Sequence, residues 1–210
     1  MILPKQERPD LPWTPIKAKP VRDNFDSPTL GSEWYFVRIP QKAFHNLANG
    51  QLALTLQPEI VDSLVNSAMV IQKTRHHQFK ATALLNFQTK KDNEQAGLIL
   101  YRTANGYYSL LKDKSGIALI KKHLEKKETI EHIPYNKQKV FLSVAVNGTE
   151  IQFSFGETQE HMINIGGIQN VAPLSDNKFN KFNGTGVGVY ATSNGKQSRN
   201  KALYDWFEYI

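Results

Sequence analysis

Cysteine is absent from the 210-residue chain, which excludes disulfide frameworks, cysteine-ligated zinc and thiol nucleophiles. No apolar run approaches the roughly 20 residues that span a bilayer as a helix, and no membrane partner is expected. The first 20 residues carry charges and prolines at positions 4, 9, 12, 15 and 20. They lack the apolar core, about 7–15 residues long, that marks a signal peptide. This stretch reads as an extended, proline-rich linker. A cytoplasmic protein would look like this, and so would a piece of a longer protein whose export signal lies upstream. The linker composition favours the second, with a periplasmic or extracellular parent.

Helical spacing is scarce as well. Residues 57–67 could hold a helical turn or equally a loop. There is no repeat of fixed period, which argues against a propeller in this chain. What is present is an ordinary globular composition, 40% hydrophobic and 21% charged, in a length that suits one large domain. The formal net charge is +7. The lysines are scattered, with small groups only at Lys112 and Lys114, Lys121-Lys122 and Lys126-Lys127. Lysines on strand edges block sheet-to-sheet association, so a solvated basic surface is the reading and nucleic acid is not an expected partner.

From Val21 onward the hydrophobic period is two. Residues 51–56 alternate cleanly, and 79–87 place Ala81, Ala83 and Leu85 on one face. Further strands are predicted over 96–102, 107–112, 117–122, 140–146, 150–155, 187–191 and 202–209. The pairs Asn105-Gly106 and Asn147-Gly148 are hairpin signals. About a dozen short strands between turns predict an all-β jelly roll of two antiparallel sheets. The expected division is a linker over 1–20 and a sandwich over 21–210.

Chemistry-bearing residues are few. A glycosidase needs two carboxyl groups roughly 5–9.5 Å apart in tuned environments. Glu94, before Gln95-Ala-Gly97, is the most suggestive carboxylate, yet a solvated strand-edge acid is the better reading. His76 and His77 are adjacent and would point to opposite faces of a strand. His45, His123, His132 and His161 are dispersed, so no zinc site is expected. One of the pair, His76, is a candidate for hydrogen bonding to sugar hydroxyls.

Flat rings stack on the apolar faces of sugars. Tyr101, one of Tyr107 and Tyr108, and one of Trp34 and Tyr35 are candidates for an outward aromatic patch. Trp206 and Phe25 are predicted core residues. The polar loop 176–186 carries Phe179 and Phe182 with little apolar company, and such rings seek a partner surface.

Three groups of residues carry a family resemblance. Val21-Arg-Asp-Asn-Phe-Asp-Ser-Pro-Thr-Leu-Gly-Ser-Glu-Trp34 resembles the opening of the concanavalin A-like C-terminal domain of family 43 β-xylosidases. Arg75-His-His-Gln-Phe79, Glu94-Gln-Ala-Gly-Leu-Ile-Leu-Tyr101 and Gly106-Tyr-Tyr108 resemble its central hairpins. Phe182-Asn-Gly-Thr-Gly-Val-Gly-Val-Tyr-Ala-Thr-Ser-Asn-Gly195 and Tyr204-Asp-Trp-Phe-Glu-Tyr209 resemble its last strands. Leu11-Pro-Trp-Thr-Pro15 is similar to the connector that follows the catalytic domain in that family.

The resemblance implies a non-catalytic module. The catalytic carboxylates of such enzymes sit on a five-bladed propeller, which would be this chain's partner. It also implies that an aromatic of the loop matching 176–186 helps to shape the propeller's pocket, with Phe182 at the matching position and Phe179 as the neighbour. Lectin-like sandwiches often share a structural calcium between first and last strands, so Asp23, Asp26 and Asp205 are possible ligands; no other cofactor is implied. The parent activity would be xylan degradation by a β-xylosidase or α-L-arabinofuranosidase. The alternative is a stand-alone carbohydrate-binding module that takes xylan-type oligosaccharides on its aromatic face.

Overall fold

Period-two strands each have an apolar side to hide, and two antiparallel sheets hide it by facing each other. The computed structural model describes residues 22–174 and 183–210. The described strands are β1 (Arg22–Asp23), β2 (Trp34–Tyr35), β3 (His45–Ala48), β4 (Gln51–Thr55) and β5 (Ala68–Lys73). They continue with β6 (Gln78–Asn86), β7 (Gln95–Thr103), β8 (Gly106–Lys112), β9 (Gly116–His123) and β10 (Lys126–Pro134). The last are β11 (Lys139–Asn147), β12 (Glu150–Gly156), β13 (Met162–Asn170), β14 (Gly186–Thr192) and β15 (Lys201–Tyr209). One sheet runs β13-β12-β11-β6-β15-β4-β3 with β1 on β15; the other runs β10-β9-β8-β7-β14-β5-β2. The jelly-roll expectation holds.

The sequence-based set lacks β3, β5, β10 and β13, and for the last two the reason is plain. β10 is mostly solvent-exposed and has no apolar row to reveal it. β13 is broken by Gly166 and Gly167, both at positive φ, where its pairing with β12 shifts register. The hairpin turns also sit one residue off the Asn-Gly pairs. Thr103 pairs with Gly106 and Asn147 with Glu150, so Ala104-Asn105 and Gly148-Thr149 are the central pairs. Gly148, at φ 61°, takes the first central position, as a type II′ turn prefers.

The inward rows of both sheets form one core, including Ala81, Ala83 and Leu85 of β6, Val187 and Val189 of β14, and Phe153 of β12. The Tyr204 hydroxyl crosses from β15 to the carbonyls of Gly97 (2.9 Å) and Tyr190 (3.0 Å) in the opposite sheet. Gly97 is required there, because a Cβ would lie 2.0 Å from the Leu110 carbonyl oxygen. A second apolar cluster covers the far side of the second sheet: Met69, Ile71, Ile99, Tyr101, Tyr107, Leu111 and Tyr190 around Val61. Residues 57–67 form its cover and are not helical. The Val61 amide donates to the Tyr190 hydroxyl (3.0 Å), and Tyr107 donates to Asp62, whose other oxygen accepts from Lys127 (3.1 Å). The Tyr107 hydroxyl is pushed far above its ordinary pKa by burial and by that carboxylate.

The segment between β1 and β2 crosses from the first sheet to the second. Asp23 holds the crossing: one oxygen accepts from the Phe25 amide (2.8 Å), the other from Trp34 Nε1 (2.7 Å). Phe25 adopts φ 57°, uncommon for a bulky residue, beneath Trp34, which in turn packs edge-on to Phe207 at 5.0 Å. Phe25 is core, as predicted. Trp206 is not in the inter-sheet core. A bulge between Tyr204 and Trp206 reverses the parity of β15, so Phe207 points inward. Trp206 lies outside, beneath the Arg22 guanidinium (4.0 Å) and beside Phe141. Replacing Asp23 by Ala removes both bonds and strands the Trp34 N–H; urea unfolding should show a loss of about 2–3 kcal/mol. A loss below about 0.5 kcal/mol, the scale of an ordinary surface change, would contradict this account of the crossing.

Candidate functional site at the loop-bearing end

The connection from β13 to β14 leaves one end of the sandwich, and both of its feet are fixed. On the incoming side, β13 ends in a 3-10 turn, Ala172–Leu174, with Pro173 and Leu174 buried. The Leu174 amide donates to the Val171 carbonyl (2.7 Å), Val171 to Thr149 (3.1 Å), and the Tyr108 hydroxyl to Asn170 (2.9 Å). On the outgoing side, Asn183 Nδ2 donates to the Arg102 carbonyl (2.6 Å) and Lys73 Nζ to the Gly184 carbonyl (3.0 Å). Thr74 N donates to Thr185 O (3.0 Å). Phe179 and Phe182, the loop aromatics singled out above, lie outside the described residues.

Each adjacent aromatic pair splits between faces, as the period demands. Trp34 and Tyr108 point into the inter-sheet core, and Tyr35, Tyr101 and Tyr107 point outward. Outward does not mean open. The 57–67 cover leaves Tyr101 5% and Tyr107 0% exposed, so neither offers a ring face to a ligand. Only Tyr35 stays half-open, with Lys73 Nζ 4.9 Å from its ring centroid. Burial, with Tyr101 nearby, pushes the Tyr35 hydroxyl up to about 12. The Arg38 charge lies near Tyr101, Arg38 Nη1 donates to the Val65 carbonyl (3.4 Å), and Asn66 Nδ2 donates to the Arg38 carbonyl (2.8 Å). Beside them Ile39 (90%), Leu64 (78%) and Val65 (52%) are exposed. His76 lies in the β5–β6 connection rather than on a strand, stacked at 5.8 Å on Tyr209.

Glu94 is neither solvated nor part of a catalytic pair. It is 1% exposed and lies at the opposite end of β7. Its carboxylate accepts from the amides of Lys90 (2.7 Å) and Lys91 (3.3 Å), from Ser198 Oγ (2.7 Å) and from Asn200 Nδ2 (2.7 Å). Burial raises its pKa, but those four donors outweigh it and hold the carboxyl below the ordinary glutamate range.

Of the acids named for calcium, Asp23 and Asp26 line one cleft beside β1, and Asp205 lies on β15. Both Asp23 oxygens are engaged by Phe25 and Trp34, and the Asp205 oxygens accept from Gln51 and from Lys139 (3.1 Å). Among the described residues no group of three or more His, Cys, Asp or Glu side chains converges to hold a metal. The lysine groups of β9 and β10 are also engaged, Lys121 and Lys126 with Glu128 and Lys127 with Asp62.

The sequence profile of the beta xylosidase C-terminal concanavalin A-like domain matches residues 22–210. The chain belongs to that family. It is a non-catalytic accessory domain of family 43 glycoside hydrolases, of the kind that accompanies a catalytic propeller. It is 30% identical over 209 residues to the non-reducing end α-L-arabinofuranosidase BoGH43B of Bacteroides ovatus, covering 96% of this chain and 39% of that protein. A xylosidase/arabinosidase of Butyrivibrio fibrisolvens is 24% identical over 188 residues, covering 87% of this chain and 36% of the relative. The crystal structure of the GH43 protein BlXynB of Bacillus licheniformis superposes with a TM-score of 0.90 at 27% identity, over 98% of this chain and 42% of that one. The chain thus spans about two fifths of the length of these relatives.

Changing Glu94 to Gln turns an amide N–H₂ toward four donors and should destabilise the domain by about 2 kcal/mol at neutral pH. The native pKa lies below the unfolded value of 4.5, so the difference from wild type is complete above that value. It should shrink as pH falls through the depressed native value; a difference that does not vary with pH in urea titrations would refute the network. Calcium or EDTA should leave the thermal midpoint unchanged, since a cation bound to the native state would raise it. A calcium-dependent rise would restore the cation to the Asp23–Asp205 seam.

Proposed function

We propose that this domain supports a family 43 propeller and completes the propeller's substrate pocket from the side, with Phe182 as the contributed wall and Phe179 beside it. The observation that carries this reading is the clamping of residues 174 and 183 at one end of the sandwich. The residues that flank the loop are held in place, as the base of a pocket wall must be. The exposed apolar side chains of Ile39, Leu64 and Val65, the last bonded through its carbonyl to Arg38, also suit a contact with a neighbouring domain.

The parent reaction in this proposal is hydrolysis of terminal β-xylosyl or α-arabinosyl linkages in plant xylan, and the domain itself performs none of it. The relatives named as an arabinofuranosidase and a xylosidase/arabinosidase support that substrate class. The second reading, a stand-alone module that takes sugar on an aromatic face, needs the outward tyrosines, and the burial of Tyr101 and Tyr107 weighs against such a face.

The test is a chimera in which this chain replaces the sandwich of the Bacillus licheniformis relative behind its own propeller. Phe182→Ala should lower kcat/KM on an aryl β-xyloside by about tenfold, the scale of one lost apolar wall, while the melting temperature stays put. A silent Phe182→Ala would overturn the pocket-wall role. Turnover of the same substrate by the 210-residue chain alone would overturn the accessory role.

A further inference from the structure

Between the edges of the two sheets lies a cleft of about 480 Å³, lined by the β1–β2 crossing on one side and by Gln72, Arg75 and Tyr209 on the other. Its polar groups divide into those already committed and those that are not. Arg22 is paired with Glu208 at 2.9 Å and covers Trp206; Asp23 is saturated by Phe25 and Trp34. Asp26, Glu33, Gln72 and the Arg75 guanidinium make no side-chain hydrogen bond or ion pair to any described residue, and Arg75 only lies over the Tyr209 ring at 4.7 Å.

Gln72 is the telling residue. It continues the inward row of β5 after Ala68 and Val70, where the core pattern calls for an apolar side chain. It is only 6% exposed, its carboxamide makes no hydrogen bond to a described residue, and since it is not among the sealed, unbonded polar atoms it opens onto the cleft it borders. Amides this buried are normally bonded. One water would satisfy the amide, but the cleft holds far more than one. The two free carboxylates have room made for them: a Cβ on Gly31 would lie 2.6 Å from both Glu33 oxygens, and one on Gly50 3.1 Å from Asp26 Oδ1.

We propose that this cleft binds a small neutral sugar, a mono- or disaccharide, through its vicinal hydroxyls. A diol presents donors and acceptors side by side. It can donate to Asp26 and Glu33, accept from Arg75, and do both with the Gln72 amide. An anion meets two free carboxylates, and a bare calcium ion meets the Arg75 guanidinium. The volume matches a small-ligand site. The residues proposed to bind the sugar include none of those assigned to the pocket wall, so either assignment can fail without the other.

The experiment is a nitrogen-15 NMR titration of the 210-residue chain with xylobiose. Saturable shifts are expected at the Gln72 side-chain amide and at the backbone amides of residues 24–33, with a millimolar Kd. Gln72→Leu should weaken binding at least tenfold while the spectrum stays dispersed, and Glu33→Ala serves as the second variant should Gln72→Leu fail to fold. The absence of saturable shifts at about 50 mM xylobiose, well above a millimolar Kd, would overturn the proposal. So would shifts that persist unchanged in the variant that folds. Calcium chloride moving these signals where xylobiose does not would replace the sugar with a cation.

Discussion

Burial of both faces of the second sheet is the constraint on which the rest of this structure depends. β8 and β14 are buried along their whole length. A sandwich accounts for one face of such strands; the other needs a separate cover. Residues 57–67 provide it, held by Val61 in the apolar cluster and by the Tyr107–Asp62–Lys127 chain of bonds. The cover decides which aromatics are accessible. It removes Tyr101 and Tyr107 from any ligand-facing role and sends the exposed apolar surface to its own rim, at Ile39, Leu64 and Val65.

The same economy of position governs the polar groups. Tyr204 joins the sheets through the core, and Glu94 ties two loops at one end. Asp23 fastens the crossing between the sheets. Each carboxylate or hydroxyl is bonded because an unsatisfied buried polar group costs as much as several packed methylenes. The residues left over are therefore informative. Asp26, Glu33, Gln72 and Arg75 collect in one cleft, and a function is proposed for it.

Much of the fold was legible in the sequence. Alternation marked most strands, including the Ala81, Ala83 and Leu85 row, and the motifs at both ends of the sandwich carried the family. β10 was not legible because an exposed edge strand has no apolar row. Trp206 was misplaced because a single extra residue at the Asp205 bulge reverses every side chain after it, and nothing local announces a bulge. Glu94 read as a solvated acid because its donors, Ser198 and Asn200, are more than a hundred residues away.

The sequence by itself determined the two-sheet architecture, that each adjacent aromatic pair splits between the two faces, and the family, because period and short motifs are local properties of the chain. Only the tertiary structure decided which member of each aromatic pair faces outward, which outward rings are open, which acids are already bonded, and where an unbonded amide meets a cleft. Those depend on what segments distant in sequence, such as 57–67 over β7 and β8 or 24–33 over β5, bring against a side chain. That is a matter of contact, which periodicity does not encode.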